Sequence, residues 1–160
     1  MSRLLHWAIL LAALGCGLTT GVLFAFSAFV MPALDRLAPA QSIVAMQSMN
    51  KLAVRPAFMV ALLGSAVACA GLGVWAALSW GERPALWVAA GAALFLIGVM
   101  VVTIAGNVPL NDALATVDPH AERAAARWSD YYGDWMTLNH LRTAAGLAAT
   151  ALLMVALRVS

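Results

Sequence analysis

Residues 85–106 read ALWVAAGAALFLIGVMVVTIAG, an apolar stretch without a single Asp, Glu, Lys, Arg or His. A transmembrane helix needs about 20 apolar residues, each advancing ~1.5 Å, to cross the hydrocarbon core of a bilayer. This run is long enough. Pro84 stands just ahead of it, where the missing N–H of a proline costs a starting helix nothing. The stretch predicts a membrane span, and the same test carried outward finds three more. They cover residues 4–31, which stop at Pro32; residues 56–80, which open at Pro56 and close in the tight GERP turn; and residues 139–157.

Composition points the same way. Of 160 residues, 64% are hydrophobic and only 10% charged, against roughly half and a quarter in a soluble domain. The expected fold class is all-α: a single integral membrane domain over residues 1–160, built as a four-helix bundle. A net charge of +2 without a Lys/Arg cluster argues against a nucleic-acid partner. The lipid bilayer is the expected partner, and oligomerisation stays open. Cys16 and Cys69 both fall inside apolar runs and read as buried free thiols, with no metal-type spacing. The first apolar run is about twice the length of a signal-peptide core. MPALDR follows it rather than a small-x-small cleavage site, so it is read as a mature helix. Gly17 and Gly21, Gly64 and Ala68, Gly91 and Gly98 recur at spacings that let helices approach closely in lipid.

The connections are unequal. GERP is minimal, while residues 32–55 and 107–138 are long and emerge on the same side. In the first, Ile43, Met46, Met49 and Leu52/Ala53 repeat at helical spacing, which predicts a short amphipathic helix at the interface. In the second, Asp118 is the expected N-cap of a helix with Pro119 at its first position. Together they form a small helical cap on one membrane face. Arg36, Lys51, Arg55, Arg123, Arg127 and Arg142 lie on the cap side, and Arg3, Arg83 and Arg158 on the other. This excess favours a cytoplasmic cap, but it shrinks once Arg55 and Arg142 are set aside as possible site residues, and orientation stays open.

Residues 128–142, WSDYYGDWMTLNHLR, lead from the cap into the last span. If they are helical, Trp128, Tyr132, Trp135, Asn139 and Arg142 follow steps of four, three, four and three and share one face. Arg127, Asp130 and Asp134 take the opposite, solvated side. An interfacial aromatic belt is one explanation of the Trp and Tyr residues; the wall of a site is the other. Arg142 falls about a turn inside the span, where an ionised group must face a partner or a wet cavity, or else snorkel to the interface.

The third span runs into GNVPLNDAL. Asn107 and Asn111 share a face if the helix continues past Pro109; otherwise Asn107 caps a new short helix. Either way an amide sits at membrane depth, where an unpaired polar group costs several kcal/mol. Asn50 and Arg55 come from the first long connection, and Arg55 stands at the mouth of the second span, as a headgroup contact or a site residue. His6, His120 and His140 are scattered without metal-ligand spacing, so no metal is expected. His140, beside Asn139, reads as a polar anchor or as the best candidate for a base.

These pieces carry a resemblance. GVLFAFSAFVMPAL closing the first span, MQSMN in the first connection, NVPLNDAL after the third span and W-x3-N-x2-R opening the fourth resemble the anthrone-oxygenase-like membrane family. The likeness covers nearly the whole chain; P-L-N-x2-L and W-x3-N-x2-R are its most specific parts. It implies a multi-pass protein of a bacterial inner membrane that oxidises an aromatic, anthrone-type or phenolic substrate with O2, without flavin or metal. Such chemistry needs a flat apolar slot, a base, and donors aimed at an oxyanion. On that reading Trp128, Tyr132 and Trp135 form the slot, with Asn107, Asn50 and Arg55 also contacting the substrate. Arg142, Asn139 and Asn111 hold the oxyanion, and His140 takes the proton. Two rivals remain: a redox protein binding haem or a quinone, with His6 and His140 as axial ligands, and a non-enzymatic membrane partner or scaffold.

Overall fold

The computed structural model describes residues 3–159, so the outermost residues 1, 2 and 160 of the expected domain lie outside the described residues. Five helices account for nearly all of the chain: α1 (Arg3–Leu34), α2 (Pro39–Ala53), α3 (Pro56–Leu78), α4 (Ala85–Ala115) and α5 (Ala124–Arg158). All but α2 are long and apolar enough to cross a membrane. They close into a ring in which α1 packs on α3, α3 on α4, α4 on α5 and α5 back on α1. The protein is an all-α integral membrane bundle.

Three of these helices are longer than their apolar runs suggest. The first helix does not stop at Pro32, and the helix of the third apolar run does not stop at Gly106. A proline inside a helix meets the carbonyl four residues back and leaves it without a donor. Both helices meet this by widening one turn beforehand. The Met31 N–H bonds back five residues to Phe26 O, and the Val108 N–H bonds back five to Thr103 O, so Pro32 and Pro109 each enter a ladder already opened out. Because α4 runs on through Pro109, Asn107 and Asn111 stand one turn apart on the same helix. The helix that carries the fourth apolar run begins at Ala124, well before residue 139, so the whole stretch 128–142 is one rigid element. Asp118 does not cap a helix at Pro119. Its carboxylate accepts the His120 N–H at 2.9 Å and closes a turn before α5 begins.

Two apolar cores result. The membrane core gathers Ile9, Cys16, Leu72, Val88, Phe95 and Leu153 from all four spans. The cap core gathers Met31, Leu34, Ile43, Met46, Leu114 and Trp128. Ile43 and Met46 face inward from α2 as their spacing requires, while Leu52 is half-exposed. The Ser42 hydroxyl donates to Leu34 O at 2.7 Å and pins the start of α2 to the end of α1. Cys16 and Cys69 are free thiols, buried and 3.6 Å apart across α1 and α3.

Close packing in lipid falls on a subset of the glycines. A Cβ at Gly98 would collide with Ala145 Cβ, and one at Gly91 would stand 3.1 Å from Ala149 O, so α4 presses on α5 there. Gly21 and Gly64, expected at such contacts, face open space, and Gly146, against the Thr20 side chain, takes that role unannounced. Gly98→Ala should therefore destabilise the protein in detergent. Overpacking costs about 1–3 kcal/mol, enough to outweigh the ~1 kcal/mol of helix propensity that alanine brings. Gly64→Ala, with room for its methyl, should be neutral or mildly stabilising. Thermal unfolding midpoints of the two variants check this, and equal midpoints would mean that α4 and α5 are not in backbone contact at Gly98.

Candidate functional site

Between the two apolar cores lies a layer of polar side chains, set there by the register of α5. Steps of three and four along that helix bury Trp128, Tyr131, Trp135, Asn139 and Arg142 on its inward face. The expected face is right except at one position. Tyr131 rather than Tyr132 points inward; Tyr132 is half-buried and packs on the Trp128 ring at 6.2 Å. Both tyrosines fit helical spacing from Trp128 to Trp135, and what selects between them is an acceptor on another helix. Asn111 Oδ1 accepts from the Tyr131 hydroxyl at 2.8 Å and from the Trp135 indole N–H at 3.0 Å.

Asn139 is the hub of the layer. Its Nδ2 donates to Leu23 O and to Ser27 Oγ, both at 2.8 Å, and its Oδ1 accepts from Arg142 Nη2 at 2.7 Å. The amide thus joins α5 to α1 immediately before the widened turn of α1. Arg142 Nη1 reaches α4, donating to Thr103 Oγ1 at 3.1 Å, and the guanidinium lies over the Trp135 ring at 5.4 Å from its centroid. Asn107 Nδ2 donates to Trp135 O at 3.3 Å. Trp128, farther into the cap, donates its indole N–H to Asp35 Oδ1 at 2.9 Å and so ties α5 to the end of α1. That is a structural tie with the ring in the core, not a belt facing lipid.

Arg142 is only 5% exposed, and every Asp and Glu among the described residues is exposed. The guanidinium therefore has neutral hydrogen-bond partners and a ring face, with no buried carboxylate to offset its charge, an arrangement that costs several kcal/mol. Buried polar atoms also remain unpaired in the layer: Arg142 Nε itself, Asn107 Oδ1 and Asn50 Nδ2. Asn50 lies beside the Tyr131 hydroxyl, but its Nδ2 meets no acceptor in hydrogen-bond geometry. A cation whose own Nε is free, in a layer that leaves Asn107 Oδ1 and Asn50 Nδ2 unpaired as well, is a place where a ligand oxygen, above all an anionic one, would be held strongly.

The remaining expected residues stand elsewhere. His140 is exposed, because it follows Asn139 by one residue and is turned ~100° away around the helix; it cannot serve this layer as a base. Arg55 is exposed at the N-cap of α3. The three-ring slot is also corrected. Trp128, Tyr131 and Trp135 stack on one another at 5.8 and 6.5 Å, and Phe26 closes on Trp135 at 5.6 Å. Such spacings are direct ring contact, so the rings fill the gap they were expected to leave. His6 and His140 cannot share a haem. Asn139 is level with Leu23, 17 residues or roughly 25 Å along α1 from His6, and both histidines are exposed. Residues missed from the sequence are Tyr131, Thr103 and Ser27. Ordinary Ser and Thr in a span carry no local signal of a partner on another helix.

Open space adjoins the layer on the α4–α5 side. A cleft of about 530 Å³ on the cap has an apolar floor that includes Leu110, Leu114 and Tyr131, with Arg123, Arg127 and Asp130 on its rim. A groove of about 470 Å³ lies farther along the same seam, between Gly106 and Leu138.

Fold and site define a class: a small four-span membrane protein with a buried cationic layer under an aromatic cap. The chain matches the anthrone oxygenase family over residues 51–152, more than half its length, and it belongs to that family. The match takes in Asn107, Asn111, Trp135, Asn139 and Arg142 and leaves out α1. No curated protein and no solved structure matches the chain.

Asn139→Ala should cost about 2–4 kcal/mol of stability, because it leaves Leu23 O unpaired and strips Arg142 of its shortest hydrogen bond. His140→Ala, one residue on, should stay within about 0.5 kcal/mol of the parent. Denaturant or thermal titration of the purified variants in detergent measures both, and a neutral Asn139→Ala would show that the layer does not hold α1 to α5.

Proposed function

We propose that this protein oxidises a lipophilic anthrone-type phenol with O2, without flavin or metal, and that the Arg142 layer holds the substrate as its oxyanion. The observation that carries this reading is the buried guanidinium without a carboxylate partner, its own Nε unpaired, in a layer that also leaves Asn107 Oδ1 and Asn50 Nδ2 unpaired. Family membership supports it. The free acceptor suits a phenolic O–H, and the free donors suit the oxygen on which charge develops.

The benzylic CH2 of an anthrone loses a proton and its electron pair spreads onto the ring carbonyl, giving an enolate. Electrons pass from the enolate to O2, a hydroperoxide forms at the former CH2 carbon, and loss of water leaves a second carbonyl. In sum CH2 and O2 become C=O and H2O, with carbon oxidised by four electrons and oxygen reduced by four. What the enzyme supplies in this scheme is the enolate. A cation fixed in a low-dielectric layer lowers the energy of an oxyanion far more than the same cation in water. With His140 outside the layer, the expected base is replaced by this electrostatic effect on the substrate's own acidity, and the proton leaves to water on the cap side.

Arg142→Gln should lower anthrone turnover by about 100-fold or more, the scale on which the loss of one oxyanion donor is felt. Arg142→Lys, which keeps a charge but not the fork, should retain part of the rate. His140→Ala should keep the parental rate. Absorbance of the anthraquinone product in membranes, corrected for oxidation in membranes lacking the protein, gives these rates, and unfolding midpoints show which variants are folded. No rate above that background for the parent would overturn the function. A folded Arg142→Gln with parental turnover would remove the guanidinium from it.

A further inference from the structure

The layer around Arg142 is enclosed by its own side chains, so a substrate needs a way in, and two hollows adjoin it. The cap cleft is rimmed by charge. The groove along the α4–α5 seam is lined by Ala105, Gly106, Pro109, Leu110, Thr137 and Leu138, with Asp134 at its cap end. Exposed Ile104, Val108 and Leu141 are sequence neighbours of its walls and place its open side on the apolar surface that lipid covers. Behind it, Gly106 adjoins Asn107, while Leu138 adjoins Asn139 and stands one turn before Arg142. Where groove and layer come nearest, Leu138 lodges in a notch: a Cβ at Gly106 would stand on Leu138 Cδ1. The residue is glycine where the leucine tip lodges, and that tip is the flexible end of a half-buried side chain that rotates without moving the backbone.

Resting on the oxygenase reading above, we infer that the α4–α5 groove is the entry and binding site for a flat, lipophilic phenolic substrate arriving sideways from the bilayer, with Leu138 as the partition it displaces. Its volume of about 470 Å³ falls within the range of small-molecule sites. Its polarity is graded to match such a ligand. The rings lie against Gly106, Pro109 and Leu110 at lipid depth, the Thr137 hydroxyl and Asp134 carboxylate face the watery end, and the oxygen to be charged turns inward to Arg142 and Asn107. A substrate that partitions into lipid is already concentrated at this opening.

The test uses full-length protein in lipid vesicles with anthrone as the probe. Leu138→Trp, which fills the groove, should reduce the rate at limiting anthrone by about tenfold or more with an unchanged unfolding midpoint. Leu138→Ala should preserve or raise that rate. Val117→Trp, which fills the cap cleft instead, should leave it unchanged. A Leu138→Trp variant with the parental rate would overturn the inference, as would a Val117→Trp variant that blocks turnover while Leu138→Trp does not. If Leu138→Trp proves unstable, Thr137→Trp on the same wall replaces it under the same criteria. Because the parent protein is assayed first, failure of the oxygenase reading shows as no parental turnover, and failure of the entry route shows only in the variants.

Discussion

A guanidinium buried about one turn below the rim of a bilayer must find hydrogen-bond partners inside the protein, because neither water nor headgroups reach it. Arg142 finds them on two other helices, through Asn139 to α1 and directly to Thr103 on α4. Three spans are thereby fixed in relative height and rotation by one charged side chain and the amide that supports it. The apolar core below would tolerate sliding, since hydrocarbon packs on hydrocarbon at many registers. The polar layer would not.

The widened turns belong to the same constraint. Asn139 reaches α1 at Leu23 and Ser27, on the edge of the wide turn that carries the helix through Pro32; Arg142 reaches α4 at Thr103, where the wide turn before Pro109 begins. Opening the ladder lets each helix pass a proline without ending, and the groups that accept from α5 stand at or beside the opened turns. The consequence for the cap is direct. With α1 and α4 continuing beyond the apolar span, Leu34, Asp35, Leu110 and Asn111 are rigidly placed to receive Trp128, Tyr131 and Trp135. The cap is an extension of the bundle, with only α2 lying across it.

Function follows from what this layer leaves undone. A purely structural brace would be expected to pair its charge and satisfy its amides. Here Asn139 is fully employed, whereas Arg142 Nε, Asn107 Oδ1 and Asn50 Nδ2 are not. On the proposed reading, bracing and binding are divided among neighbouring groups of one network. The aromatic rings, which close on one another, supply a dry, low-dielectric wall rather than a slot, and the room for a ligand lies to the side, along α4 and α5.

What the sequence determined by itself is whatever depends on near neighbours in the chain. Hydropathy over about 20 residues set the four spans, and helical periodicity placed Trp128, Trp135, Asn139 and Arg142 on one face, because both are properties of a single helix. Tertiary structure alone decided which tyrosine turns inward, that His140 and Arg55 stand outside, and that α4 outlasts Pro109. The inward face of α5 rests on groups far away in the chain: Asn111 for Tyr131 and Trp135, Leu23 and Ser27 for Asn139, Asp35 for Trp128. Consecutive residues differ by ~100° around a helix, so a stretch such as Tyr131-Tyr132 or Asn139-His140 offers either member equally. Only a partner helix, brought alongside by the apolar faces, chooses between them.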